Sequence, residues 1–250
     1  MKPVALVFGL LIAPVSVFAA SLDARIERAH QVTLGVPVTG IIGRVDAKAG
    51  QTVPKGTLLV ALKPEPFEAA VEAAQAQVTL TVTRRSEAQR DYKQAKELYD
   101  RTVLSTVDLE NAKNQATRAD AEWRHAQAML KKAKVDLSNS RIEAPFDAVV
   151  LKVDARAGET VVNQIEPRPL VTVAAKNEFL AAGRVTPDRV AAFPVDKPAT
   201  VTVAGNNYSG KVVAQSLDST KDETFYRVEV QFSAPDGTVA PGQSGRIDVP

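Results

Sequence analysis

The residues that could do chemistry in this chain are few and scattered. Its 250 residues include two histidines, two methionines and no cysteine. A transition-metal site needs clustered imidazole, thiolate or thioether ligands, and His30 and His125 stand far apart in the sequence. No Ser-His-Asp arrangement, phosphate loop or paired-carboxylate motif is present. The sequence therefore predicts no catalytic, cofactor or metal site, and the protein is expected not to be an enzyme.

The overall charge also restricts the partners. A net charge of +2 gives no physical reason to expect a nucleic-acid partner. The basic cluster Lys131, Lys132 and Lys134 is interpreted as a solvated helix face, with a partner contact as the alternative.

The clearest pattern is a coiled-coil seam in a helix that ends near residue 138. Apolar residues recur in alternating steps of three and four, which is a period of 3.5 residues and is typical of coiled coils. The polar residues between them suit solvent. The predicted seam positions are Leu109, Ala112, Ala116, Ala119, Trp123, Ala126, Leu130, Ala133 and Leu137.

A preceding helix carries the same step, with Thr81 and Arg85 as polar exceptions. Pro66 lies at its first turn, where a missing N–H costs little. Ser105 is predicted to cap the second helix. Because the connection is short, residues 66–138 are expected to form an antiparallel hairpin about 50 Å long, which must protrude. The seam of the first helix is Phe67, Val71, Ala74, Val78, Thr81, Arg85, Ala88, Tyr92, Ala95 and Tyr99.

The hairpin interrupts an internal repeat. Residues 45–53 read VDAKAGQTV and residues 153–161 read VDARAGETV, so seven of the nine positions are identical. Each copy is followed by a second short strand, Thr57–Leu62 in one and Leu170–Val173 in the other. We expect the two copies to be halves of one small β-sandwich.

The remainder of the chain reads as a small β-barrel. Beyond Asn177, alternating segments predict five or six short strands and one brief helix, with Thr186 as its cap. The turn Pro235-Asp236-Gly237 precedes the last predicted strand, Gly245–Val249. Residues 20–35 are a lead-in that could supply one more strand.

The first residues are typical of a secretory signal peptide. Lys2 is followed by an apolar core and by small residues before a cleavage point near Ala19. An uncleaved membrane anchor is the alternative, although the apolar run is shorter than the roughly 20 residues that a span needs.

In this combination of features the chain resembles the periplasmic adaptor family, the membrane fusion proteins of haemolysin D type in tripartite efflux pumps. The two repeat halves resemble the family's lipoyl-like domain, and Ala144-Pro145-Phe146-Asp147 matches a frequent family signature, except that Ala148 replaces the usual Gly. The closing Ala240-Pro241-Gly242 resembles the turn before the last barrel strand.

The resemblance implies a mixed α and β, elongated multidomain fold, in which a split lipoyl-like β-sandwich carries an inserted coiled-coil α-hairpin and precedes a small β-barrel. The family's additional membrane-proximal domain is expected to be absent, because the chain stops at Pro250. The predicted segments are a signal peptide (1–19), a lead-in (20–35), the lipoyl-like domain (36–65 plus 139–175), the hairpin (66–138) and the barrel (176–250).

The resemblance also implies a contact site at the hairpin tip. The family often has an Arg, a Leu four residues later and a Ser seven residues after that, which dock an outer-membrane channel. Leu98 and Ser105 match this spacing, whereas Gln94 occupies the Arg position. Arg101 could supply the positive charge instead. For Leu98, an ordinary contact with the partner helix is the open alternative.

The implied function is that of a periplasmic adaptor that joins an inner-membrane transporter, of RND type, to a TolC-like outer-membrane channel as a trimer or hexamer. An adaptor for an ABC or other exporter and a secreted coiled-coil tether remain alternatives. A lipoyl carrier is disfavoured, because the hairpin occupies the turn where its modified Lys would stand.

Overall fold

The computed structural model describes residues 20–162, 168–219, 224–235 and 237–250. The predicted signal peptide over residues 1–19, with its cleavage point, lies outside these residues, and so does Asp236 of the predicted turn. The described chain divides into two units. Residues 20–30 and 175–250 form one, and residues 31–174 form the other.

The first unit is a closed barrel. Its strand order is β1-β10-β13-β12-β11-β14. Ile26, Val201, Val212 and Val230 are among the side chains that fill its core, each with no exposed surface. The strands are β1 Ala20–Arg28, β10 Glu178–Val185, β11 Pro198–Val203, β12 Asn206–Ser219, β13 Thr224–Ser233 and β14 Ser244–Val249.

The predicted lead-in supplies the additional barrel strand, because residues 20–28 form β1 between β10 and β14, with Arg25 opposite Ala182 and Ala20 opposite Val249. One prediction for this region needs correction. The brief helix predicted from Thr186 is only a 3-10 turn over Val190–Ala192. The Thr186 side chain instead hydrogen-bonds the carboxylate of Asp188 and lowers the pKa of that group.

The second unit combines a sandwich with the helical hairpin. Its two four-stranded sheets have the orders β2-β9-β7-β4 and β6-β5-β3-β8, so each sheet contains strands from both halves of the repeat. The strands are β2 Val32–Leu34, β3 Gly40–Val45, β4 Thr52–Val53, β5 Leu58–Leu62, β6 Arg141–Glu143, β7 Ala148–Val153, β8 Thr160–Val161 and β9 Val171–Ala175.

The two halves of the sandwich exchange equivalent hydrogen bonds. Gly50 N–H donates to Val150 O (2.8 Å), and Gly158 N–H donates to Ile42 O (2.8 Å). Both strand residues are fully buried. The two copies are therefore halves of one sandwich, as the sequence predicted, and the structure adds that the glycine turn of each half is held by a strand of the other.

The family-like signature residues fasten a different turn, which runs from Pro54 to Thr57. Asp147 Oδ1 accepts a hydrogen bond from Lys55 N–H (2.9 Å), and Ala144 O accepts one from Gly56 N–H (2.8 Å). Ala148, where a Gly was expected, is fully buried in β7 opposite Val53. Its methyl group fits there, so this departure leaves the sandwich intact.

The two repeat glycines allow a first test. Gly50 and Gly158 have φ of +85° and +86°, and an added Cβ would meet no atom within 4 Å at either position. An alanine at either position should therefore cost only the left-handed backbone conformation, about 1–2 kcal/mol. We expect Gly50→Ala and Gly158→Ala to speed amide exchange of Ile42 and Val150 by roughly 5- to 30-fold.

The neighbouring substitution Ala49→Ser is the control and should leave exchange unchanged. If both alanine variants exchanged at the wild-type rate, the glycine turns would not determine the stability of the sandwich.

Candidate functional site

The candidate site lies on the insert between β5 and β6, which consists of two helices. They are α1 Glu65–Asp100 and α2 Thr106–Asn139. Pro66 lies in the first turn of α1, as predicted. Ser105 caps α2 as predicted, because its Oγ accepts a hydrogen bond from Asp108 N–H (3.2 Å).

The seam between the helices follows the predicted positions almost to the tip. All nine predicted positions of α2 are buried or half-buried, and so are those of α1 from Phe67 to Ala95. The last α1 position is the exception. Tyr99 was predicted to continue the seam but is 38% exposed, and Leu98 is half-buried in its place.

The two polar seam residues are accommodated in different ways. Thr81 is only 2% exposed, and its hydroxyl donates to Gln77 O (2.8 Å) within the same helix. The Arg85 guanidinium lies 4.1 Å from the centroid of the Trp123 ring, and its Nε donates to Asp120 Oδ1 (2.7 Å). A cation over an indole ring is a favourable arrangement. Arg85 therefore joins the helices rather than weakening the seam.

Asp120 is the electrostatic centre of this cluster. Its other carboxylate oxygen accepts a hydrogen bond from Arg124 Nε (2.8 Å), in addition to the bond from Arg85. The hydrogen bonds from Arg124 and Arg85, together with their charges, hold the pKa of Asp120 below its ordinary value of 3.8. The ionised carboxylate is therefore the form that stabilises the hairpin.

This lowered pKa predicts how the hairpin responds to acid. The stabilisation by Asp120 is complete above the ordinary carboxyl pKa and is lost as the pH falls through the lowered value. Asp120→Asn should therefore reduce helix stability at neutral pH, and the difference from wild type should vanish in strong acid. Thermal unfolding followed by circular dichroism across an acid series measures this.

Asp136→Asn is the matched control, because it removes only the pair with Lys132 (2.6 Å), four residues away on the same helix. Exposed ion pairs of this kind contribute little to the stability of a helix. A constant stability gap between Asp120→Asn and wild type at every pH would contradict the assigned role.

The tip is a tight reversal closed by backbone hydrogen bonds. Thr102 has a φ of +59°, and its N–H donates to Tyr99 O (2.8 Å). Val103 N–H donates to Leu98 O (3.0 Å). Two apolar side chains face solvent here, since Val103 is 71% and Val107 is 66% exposed. The structure thus adds two valines to the candidate contact surface.

The four residues predicted for channel contact all lie at this end of the hairpin. Gln94 and Arg101 are exposed, Leu98 is half-buried in the seam, and Ser105 is exposed while it caps α2. The exposed Val103 and Val107 were not among the tip residues predicted from the sequence. The available signal was the apolar pair Val103-Leu104 in the connection, with Val107 in the first turn of α2.

Elsewhere, the structure describes no alternative centre of chemistry. Among the residues it describes, no three His, Asp or Glu side chains are placed to hold a metal ion together. His30 Nδ1 lies 2.6 Å from Glu178 Oε2 in the barrel, and His125 is exposed on α2. Within the same residues, neither helix is apolar enough over its length to span a membrane.

Comparison with protein families decides the relationship. The family model for the barrel-sandwich hybrid domain of RND MFPs, the membrane fusion proteins, matches residues 30–174, which is the sandwich with its inserted hairpin. The chain belongs to the RND membrane fusion protein family.

Curated relatives of this membrane fusion protein are distant in sequence. It is 23% identical over 244 residues to the macrolide export protein MacA of Escherichia coli O157:H7. This alignment covers 90% of this chain and 66% of MacA. It is 29% identical over 204 residues to the pyoverdine export membrane fusion protein PvdR of Pseudomonas aeruginosa. That alignment covers 72% of this chain and 51% of PvdR. The chain thus spans only about half to two thirds of these relatives.

Solved structures agree with the fold of this membrane fusion protein. The membrane fusion protein Spr0693 of Streptococcus pneumoniae R6 superposes with a TM-score of 0.68 at 15% identity, over 92% of this chain and 98% of that one. A MacA-MexA chimera that contains the MexA α-hairpin gives 0.68 at 22% identity, over 92% and 80%. At such identities the likeness shows the fold alone.

Proposed function

We propose that this chain is the non-enzymatic adaptor subunit of a tripartite efflux system, which joins an inner-membrane transporter of RND type to a TolC-like outer-membrane channel. The observation that carries the proposal is the sandwich of a membrane fusion protein split by a long hairpin with an exposed apolar tip. The names of MacA and PvdR, which describe export, support the same class of function.

The hairpin provides the reach that an adaptor needs. Its first helix has 36 residues, which at about 1.5 Å per residue is roughly 54 Å. Its helices are joined by an alanine-rich seam and by the cluster around Arg85 and Asp120. Such a rod can hold two membrane proteins at a fixed separation, while the transporter supplies the energy.

The channel contact is assigned to the tip. Gln94, Arg101 and Ser105 offer polar groups to the partner, and Leu98 supports the turn from the seam. The exposed Val103 and Val107 would be covered on docking, which removes apolar surface from water. The combination of a small apolar centre and a polar rim is that of a protein interface.

The location and the assembly follow from the same function. The chain would be exported by its leader, cleaved near Ala19, and would work in the periplasm as a trimer or hexamer. An oligomer would also support a hairpin whose alanine seam buries little surface.

The proposal is tested by deleting the gene and restoring it on a plasmid. We expect deletion to raise the cellular accumulation of exported compounds and the restored gene to reverse it. Affinity purification of the full chain should bring down one transporter and one outer-membrane channel. The transporter's class would separate an RND from an ABC partner. Unchanged accumulation of every compound tested, with neither protein recovered, would leave only a coiled-coil tether.

A further inference from the structure

The outer face of the sheet that contains β5 holds an open cavity at the start of α1. Its volume is about 470 Å³. Leu58 and Ala61 of β5 are half-buried and form its apolar floor. The charged residues around this floor are three cations and one carboxylate, Arg44, Lys63, Arg141 and Glu65. The cavity therefore combines a small apolar surface with an excess of positive charge.

The register of the strands brings the two arginines to this floor from opposite sides. Arg44 lies opposite Ala61, and Ala61 lies opposite Arg141. Neighbouring strands are about 4.8 Å apart, so only the alanine methyl separates two arginines whose Cα atoms are about 10 Å apart. Lys63 lines the same cavity, and its stem passes over β3, because a Cβ added to Gly43 would lie 3.3 Å from Lys63 Cγ. The register of β3 is irregular at Gly43, and bulges of this kind redirect side chains.

Lys63 and Arg141 are cations without an acidic partner. Across the ranges that the structure describes, no hydrogen bond or ion pair involves either side chain. Glu65 lies in the first turn of α1, where the positive end of the helix favours a carboxylate. Glu143, the next outward residue of β6 after Arg141, does not line the cavity. Because like charges repel one another across a sheet, an anion bound between these cations would be favoured.

The other half of the repeat shows that the sandwich does not require these charges. The equivalent positions are Lys152 for Arg44, Thr172 for Ala61, Ala174 for Lys63 and Thr33 for Arg141. Arg44 and Lys152 each pair with the aspartate two residues later, at 2.9 and 2.8 Å, so this ion pair belongs to both halves. Lys63 and Arg141 are therefore additions in one half, and they have no structural counterpart in the other.

We propose that this cavity binds the phosphate group of a small organic phosphate, held by Lys63 and Arg141 with Arg44 at its edge. A phosphate monoester carries a charge of about −1.5 to −2 at pH 7, which the two unpaired cations balance. A guanidinium donates two parallel hydrogen bonds to phosphate oxygens, and an ammonium adds a compact charge. The organic part lies against Leu58 and Ala61, which removes apolar surface from water. The site lies at the opposite end of α1 from the tip, and it goes beyond the proposed adaptor function.

Titration of the full, isotope-labelled chain with phenyl phosphate at low ionic strength, followed by NMR, tests the site. We expect the backbone amide signals of Ala61, Lys63 and Arg141 to shift. Inorganic phosphate lacks the apolar part and benzoate has a single charge, so both should bind more weakly than phenyl phosphate. Lys63→Gln with Arg141→Gln should weaken phenyl phosphate binding by roughly tenfold or more, because it removes charge-assisted hydrogen bonds. The matched control, Lys152→Gln with Arg156→Gln, removes the same charge from the other half of the repeat and should bind as the wild type does.

Three results would overturn the proposal. The first is the absence of shifts at these amides. The second is an equal loss of binding in the control variant, which would mean a response to net charge alone. The third is inorganic phosphate or benzoate that binds as tightly as phenyl phosphate, which would mean that the cavity does not select a phosphate ester. The measurement is of binding and not of export, so this site can fail while the adaptor function stands, and the reverse also holds.

Discussion

Replacing residues 63–139 by Asn-Gly is expected to leave the sandwich folded and to abolish export completely. The ends of the insert are already neighbours, because Leu62 N–H donates to Ser140 O (2.9 Å) in the antiparallel pairing of β5 with β6. A two-residue Asn-Gly turn closes such a pair without spreading the strands. The core loses only the partial cover of Phe67, at most about 1–3 kcal/mol.

Export should fail because the shortened chain can no longer reach the channel. Slow amide exchange of Ile42 and Val150 reports on the sandwich, and compound accumulation in cells reports on export. An insertion of two polar residues at the barrel turn near Gly205 is the control and should preserve both. Loss of exchange protection in the shortened chain would mean that the sandwich depends on the hairpin, and retained export would refute the proposed role of the rod.

Leu98→Asp and Ser105→Arg are each expected to abolish export while the protein remains folded. The aspartate places a charge in the half-buried base of the tip, and the arginine places bulk and charge where the channel would dock. The loss of the cap at Ser105 costs about 0.5–2 kcal/mol, which is small beside the whole hairpin. Export is measured by compound accumulation and folding by helix content.

Two conservative variants separate docking from capping. Ser105→Thr keeps a capping hydroxyl and should export normally. Ser105→Ala loses the cap but adds no bulk, so it should export better than Ser105→Arg. Full export by both Leu98→Asp and Ser105→Arg would remove the tip from the contact surface.

The hairpin was predictable because the repeat of apolar residues within each helix of a coiled coil shows which positions face the partner helix. The seam residues of each helix face the partner helix at regular steps, so the period of 3.5 residues identified the buried positions from Phe67 to Ala95 and all of those in α2. The period failed at Tyr99. There the Leu98 carbonyl accepts from Val103 N–H as the chain reverses, and the closing turn, not the repeat, decides which side chain is covered.

The barrel and its lead-in were harder to predict for the opposite reason. The sequence indicated that the lead-in of residues 20–35 could supply a strand, but not which strands it would join. Its neighbours β10 and β14 come from far along the chain, and their registers follow from packing around one core. Similarly, Thr186 and Pro187 favour the start of a helix. The structure forms only a 3-10 turn, and the next residue, Phe193, is fully buried in the barrel core.

The sequence alone therefore determined the parts whose information is local or repeated: the coiled-coil seam, the Ser105 cap and the two matching halves around it. Only the tertiary structure decided how the two halves of the sandwich interlock and which strands β1 joins. Those features depend on side chains that meet across long separations in the chain, and no periodic pattern encodes such meetings.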